Sequence, residues 1–417
     1  MPTEDVIYEP VSVKVTLAEM KDTAELLIDL AYSAVLLDSA EVAEEVLSLE
    51  DHMDVLQLQA RMSLLMSARS PDDAETLAPV LGVVGAAEKI SDAAGDIAKV
   101  VLEEVGIPEP VRAALPEAVE RLARVRIAAD SPYATQTLAE IDLETQTGVR
   151  VIAIRRDGDW LLDPSRDTEL RDADVALIRG PADALGGVYE RASGETYERR
   201  HPPEPEHDDV ARALDSVVLM KNTSELAVDL AYGAVLFDST DVAEEVFELE
   251  AEIDALNSRF EVWLLRAASR VDDPVSLRGL LHIARSMEVI SDAALEISEG
   301  VLRGLGTHPV VAAAVEESDE IIVRVAVESG SELAGETLGD RHLQTDIGMR
   351  VLAIRRAAAV SEAQGSTAEA PPDPEASDRG WIVSPGPATT IRAGDVLLAK
   401  GTRSGAASLE TLSTADG

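Results

Sequence analysis

The sequence is written twice, and a duplicated chain is constrained to build two copies of one unit that pack on each other. KDTAELLIDLAYSAVLLDSAEVAEEVLSLE at 21–50 matches KNTSELAVDLAYGAVLFDSTDVAEEVFELE at 221–250, an offset of 200. EKISDAAGDIAKVVL (88–102) and EVISDAALEISEGVL (288–302) keep that offset, as do TGVRVIAIRR (147–156) and IGMRVLAIRR (347–356). Beyond this the offset is 221: Trp160 pairs with Trp381, Pro164 with Pro385, and RDADVALIRG (171–180) with RAGDVLLAKG (392–401). The second copy therefore carries 21 extra residues within AAAVSEAQGSTAEAPPDPEASD. Their Ala, Pro, Ser and Glu composition predicts a disordered insert at about 357–380.

Each copy changes period midway. Residues 12–105 and 212–305 are helical, with Leu26, Leu30, Ala34 and Leu37 recurring at helical spacing. Asp38 and Glu41 stand at capping-box spacing before a second helix, and Ser70-Pro71 opens a third. Gly106 and Pro108 close it. Three helices of roughly 20–30 residues with short connections predict an antiparallel bundle. From about residue 110, RLARVRIAA and EIIVRVAVE alternate apolar and polar, as half-buried strands do. A short helix through TLAEIDLET follows, then VRVIAIRR, a hairpin turn at Asp157-Gly158-Asp159, and the strands WLLDP and DVALIRG.

The expected fold class is α+β, with two three-helix bundles and two small α+β domains in a tandem repeat. The first bundle is placed at 10–108, the first mixed domain at 109–186, and a polar, Pro-containing linker at 187–209. The second bundle is placed at 210–308, the second mixed domain at 309–405, and a tail at 406–417. The two halves should form an internal pseudo-dimer, and the molecule could dimerise again.

Charge narrows the function classes. Asp and Glu number 79 against 36 Lys and Arg, a net charge of -43. No basic patch is visible for a nucleic acid or an anionic membrane, so no nucleic-acid partner is expected. The absence of Cys excludes disulfides, thiolate metal sites and cysteine nucleophiles. No apolar run approaches the roughly 18 residues that cross a bilayer, and Met1-Pro2-Thr3-Glu4-Asp5 is not a signal peptide, so a cytoplasmic location is expected. The hydrophobic fraction of 46% argues for folded cores beneath an acidic, salt-adapted surface of halophilic type.

The mixed part resembles the TrkA-C domain, the C-terminal half of regulator modules on potassium channels and transporters. The likeness rests on a helix ending in Gly148, VRVIAIRR, a short hairpin, Pro164 and DVALIRG, repeated at Gly348, MRVLAIRR, Pro385 and GDVLLAKG. The helical part resembles one three-helix unit of PhoU, the regulator of phosphate uptake, through EKISD and EVISD. The combination is similar to archaeal (haloarchaeal-type) proteins that join PhoU-like and TrkA-C domains, which implies a link to cation transport.

Glu88 and Asp92 are four apart on one helix face, as are Glu50 and Asp54 on the helix before. Glu288, Asp292, Glu250 and Asp254 repeat them. Two such pairs on adjacent helices offer oxygen ligands to a hard cation such as Mg²⁺ or Mn²⁺, and the PhoU resemblance implies bound metal, Fe included. With 79 acids in 417 residues, roughly 15 pairs at this spacing arise by chance, so a solvated acidic face is the plainer alternative. A third pair, Glu25 and Asp29 with Glu225 and Asp229, lies on the first helix.

The TrkA-C resemblance implies a paired cleft that in some relatives holds a cyclic dinucleotide. Arg150 and Arg350, with Pro164 and Pro385, are the candidate ligand-binding residues, since Arg binds phosphate bidentately. Glu144 and Gln344 stand where dinucleotide-binding relatives often place a second Arg, which weakens that assignment. The NAD-binding GxGxxG half of the potassium-regulator module is absent from this sequence, so no NAD is expected. No phosphate-cradling loop and no His beside Ser91 or Ser291 suggest an enzyme. The expected function is regulatory: sensing a ligand or ion and controlling a separate membrane potassium or cation channel or transporter. The alternatives are a PhoU-like regulator of phosphate uptake and, third, a metal-dependent hydrolase.

Overall fold

Helices α1 (Val13–Leu37), α2 (Ala40–Ser67) and α3 (Pro71–Leu102) open the first copy. In the second copy α7 (Asp208–Phe237), α8 (Thr240–Ala268) and α9 (Arg278–Leu302) repeat them. The structure, a computed structural model, describes residues 12–103, 105, 121–157, 159–162, 164–197, 208–271, 273–303, 309–317, 321–356, 381–383 and 385–415. The insert at 357–380, Gly106 and Pro108 fall outside the described residues.

The turn between the first two helices is built alike in both copies. Asp38 and Asp238 follow a helix in the left-handed region, at φ 51° and 46°. Ser39 and Ser239 then cap the next helix by accepting the N–H of Val42 and Val242. The cap is one residue later than the Asp38–Glu41 spacing predicts, because Asp38 is used to end α1 in a conformation that Asp tolerates. Leu26, Leu30 and Ala34 of the predicted stripe are buried. Each bundle packs its three helices on one another, and α3 of one packs along α9 of the other. These two run antiparallel: Gly300 near the end of α9 leaves room for Pro79 near the start of α3.

The chain divides into two compact units, 1–138 with 151–318 and 139–150 with 319–417. The first unit holds both bundles and nearly all of the first sheet. That sheet joins β1 (Arg121–Arg126), β2 (Arg150–Arg156), β3 (Asp159–Leu162) and β4 (Val175–Gly180) in the order β1-β4-β2-β3. β2 and β3 form the predicted hairpin, with Arg156 opposite Asp159. Helix α6 (Ala182–Ser193) covers β1 and β4. Residues 187–193 are therefore helix and not linker. Leu185, Val188 and Ala192 are its buried face, a period obscured in the sequence by Gly186-Gly187 and too short to stand out. A helix not foreseen in the sequence, α10 (Pro309–Glu317), lies on α1 and α7.

The second unit repeats the sheet as β5 (Ile321–Ala326), β6 (Met349–Arg355), β7 (Trp381–Val383) and β8 (Val396–Gly401), in the order β5-β8-β6-β7. The expected tail forms helix α13 (Arg403–Ser413), capped by Thr402, with Ala406 and Leu409 buried. The expected single helix in TLAEIDLET is two, α4 (Leu138–Ile141) and α5 (Leu143–Thr147), broken at Asp142 with φ 47°. The repeat, α11 (Leu338–Arg341) and α12 (Leu343–Ile347), breaks at His342 with φ 44°. Within this unit α5 packs on α12, and a Cβ on Gly148 would collide with the Gln344 backbone.

The strand ends that recur in both copies are structural pins. Arg156 forms a bidentate pair with buried Asp174 at 2.9 and 2.7 Å, and Asp174 also accepts the Arg171 N–H. Arg356 pairs with Asp395, Nη1 to Oδ2 at 2.5 Å, and the Arg392 N–H takes the role of Arg171. The pins explain why RDAD and RAGD recur with the strand VRVIAIRR or MRVLAIRR.

Candidate functional site

Three groups of charged residues need separate accounts: the acidic quartets, the TrkA-C-type arginines, and a buried ionic core the sequence did not announce.

Each quartet gathers on adjacent helices, α2 and α3 or α8 and α9. In the first copy burial, against the pull of Lys99, raises the Glu50 pKa, with repulsion from Asp92, Asp96 and Asp54 adding to it. Burial, then Glu88 and Asp54, raise Asp92. In the second copy burial first and neighbouring carboxylates next raise Glu250, Glu288 and Asp292. The predicted residues are thus brought into one another's field. Among the described residues no three His, Asp or Glu side chains stand close enough to close on a metal ion.

The quartets are not equal. Gly95 leaves space for the Glu50 carboxylate where the second copy has Leu295. Lys99 lies 3.8 Å from Glu50 and 3.1 Å from Asp96, whereas the second copy carries Glu299 there. Asn257 instead donates to Glu288 at 2.8 Å. Cations reach the second quartet only at longer range, Arg285 acting on Glu288 and Lys89 on Asp292.

The third carboxylate pair is not a solvated face. Lys21 on α1 pairs with Glu25 at 2.8 Å and lies over the Tyr232 ring at 5.4 Å. Lys221 on α7 pairs with Glu225 at 2.6 Å and lies over the Tyr32 ring at 5.0 Å. Each lysine is buried and reaches across to the other copy's aromatic ring, so the two copies interlock. Burial, then Glu225, push the Tyr32 hydroxyl well above its ordinary pKa, and that hydroxyl donates to the Met287 sulfur. Arg179 on β4 then enters this core, pairing with Asp29 of the first copy and with Glu225 of the second at 3.3 Å. Arg155 on β2 adds a more exposed bond to Glu41 on α2 at 2.7 Å. One signal could have revealed the core: only six lysines occur, and two stand at equivalent positions 21 and 221.

Arg150 opens β2 and Arg350 lies in β6 opposite Lys400; both are half-buried and neither is free of partners. Pro164 and Pro385 sit half-buried in the loops after β3 and β7.

The PhoU domain model matches residues 17–101 and 217–301, the two bundles, and the TrkA-C domain model matches residues 122–193, the first sheet domain with α6. Two PhoU domains and a TrkA-C domain thus occur in one chain. No curated protein matches the chain. PhoU from Pseudomonas aeruginosa is similar at 15% identity over 70% of this chain and 96% of that one, with a TM-score of 0.39. The GsuK RCK domain is similar at 13% identity over 73% and 69%, with a TM-score of 0.18. The GsuK channel bound to NAD is similar at 14% identity over 78% and 65%, with a TM-score of 0.17. Such TM-scores do not define a shared overall arrangement. No helix among the described residues is long and apolar enough to cross a membrane.

Proposed function

We propose that the chain is a cytoplasmic, non-catalytic regulator that passes a binding event between its sheet domains and its helical bundles, and acts on a separate membrane potassium or cation transporter. The observation that supports transmission is Arg179, a strand residue whose guanidinium bridges carboxylates from both copies' first helices. A sheet movement that withdraws Arg179 leaves Asp29 and Glu225 buried without that cation, so the two layers must respond together. The small ligand would sit with the TrkA-C-type domains, Arg150 and Arg350 serving a cyclic dinucleotide phosphate. Rubidium uptake by cells lacking the chain tests the reading: the wild type should restore it and Arg179→Met should not. If uptake of phosphate changes and that of rubidium does not, the chain regulates phosphate uptake, a reading favoured by the PhoU match in both copies.

A divalent metal (Mg, Mn or Fe) belongs to the same proposal. The donors suit it in chemistry: hard carboxylate oxygens whose pKa values are raised by burial and mutual repulsion, a cost a cation would remove. Glu250, Asp254, Glu288 and Asp292 would hold it best, with Glu50, Asp54, Glu88 and Asp92 weaker because Lys99 competes. The metal would act as a structural and signalling ligand.

A further inference from the structure

Between the C-terminal half of α3 and the N-terminal half of α9 lies a cavity of about 410 Å³, inside the roughly 300–1,000 Å³ usual for small-ligand sites. Its walls differ in charge. The α3 wall carries Asp92, Asp96 and Glu103, with Lys99 already engaged by Asp96 and Glu50. The α9 wall carries His282, Arg285 and Ser286 and no carboxylate.

Two of these groups are unspent. Ser286 is 4% exposed, and its hydroxyl has no hydrogen-bond partner among the described residues. Facing the cavity, that hydroxyl keeps its capacity to donate to and accept from a bound group. Arg285 forms no ion pair or hydrogen bond among the described residues, and reaches Glu288 only through longer-range attraction. In a chain with 79 acids against 36 bases, that is unexpected for a guanidinium. The pseudo-symmetric place is lined differently. There Gly82, Gly85 and Ala86 replace His282, Arg285 and Ser286, and Lys89, in place of Val289, pairs with Glu296.

A lone anion in this cavity would face three carboxylates, and a lone cation would face Arg285. A ligand bearing both charges satisfies both walls. We propose that the cavity binds a small zwitterion, its acid group on Arg285 and Ser286, its ammonium on Asp92 and Glu103, and its short apolar segment against Val100 and Val289. This site lies in the bundles, apart from the TrkA-C-type arginines, and does not depend on the proposed target.

The test is thermal unfolding of the full chain at fixed KCl with a chelator present, which removes divalent metal from the question. Glycine, β-alanine and 4-aminobutanoate, with increasing charge separation, are compared at millimolar concentration with butanoate and butylammonium. At least one zwitterion should raise the melting temperature by several degrees, and neither singly charged probe should. Arg285→Gln should abolish the shift while changing the ligand-free melting temperature little, because Arg285 is exposed and acts on Glu288 only at longer range. Ser286→Ala should reduce the shift. An equal rise with butanoate or butylammonium, a rise that survives Arg285→Gln, a rise that appears only with Mn²⁺ instead of chelator, or no rise with any zwitterion would each overturn the proposal.

Discussion

Arg179 concentrates more consequence than any other residue described, because it is mostly buried and serves two carboxylates at once. Removing one partner from a buried ionic group costs about 3–5 kcal/mol, so Arg179→Met should lower unfolding stability toward that range. Arg179→Lys should fall between, since a point charge cannot fork to both Asp29 and Glu225. Denaturant unfolding of the three proteins orders them; equal midpoints would show that the core closes without Arg179. Ser91 and Ser291 offer the opposite case. Their hydroxyls are buried with no hydrogen-bond partner among the described residues. Ser91→Ala with Ser291→Ala should therefore be neutral or stabilising by about 1 kcal/mol. Calorimetry that shows a loss instead would point to a partner for these hydroxyls. Little of this was legible in the sequence. Glu25 and Asp29 could be seen as a recurring pair, but nothing in the spacing says that Lys21 turns inward or that a residue some 150 positions away completes the pair.

Elements were far more legible than sites. The long helices could be placed because a repeated 3.6-residue period over 25 or more residues has no rival reading. Most of helices α6 and α13 falls in the expected linker and tail, because two or three turns beside Gly or Ser give too short a period to register. The acidic faces of α3 and α9 were visible, but their inequality was not, since it depends on which neighbours approach. Their pH behaviour follows from sign. A carboxyl whose pKa is raised in the folded chain holds a proton that the unfolded chain has already released. Stability therefore falls as pH rises through the window between the ordinary carboxylate range and the raised values, and stays lower above it. Melting temperature without metal should increase as pH is lowered from neutrality toward about 5, and Glu250→Gln with Glu288→Gln and Asp292→Asn should flatten that slope. Mn²⁺ at fixed ionic strength and neutral pH should raise the melting temperature of the wild type and not of this triple variant. An unchanged response in the variant would place any bound metal elsewhere.

At the scale of the whole molecule, a net charge of -43 sets a repulsion that opposes compaction. Screening shortens its reach from about 10 Å at 0.1 M salt to about 3 Å at 1 M. The melting temperature should climb steadily with KCl over that interval, and a flat profile would mean that the charges are already balanced locally. Such a dependence would act on both halves alike. Other features do not. In a dimer of identical chains every mutation strikes both sides of the axis, so a change useful on one side has to be survivable on the other. Joining the copies in one chain removes that constraint. Lys89 can lock one flank against Glu296 while the matching Val289 leaves its own flank unlocked. Selection can then act on a single flank, and the pseudo-twofold axis becomes a record of ancestry that the two sides are free to leave.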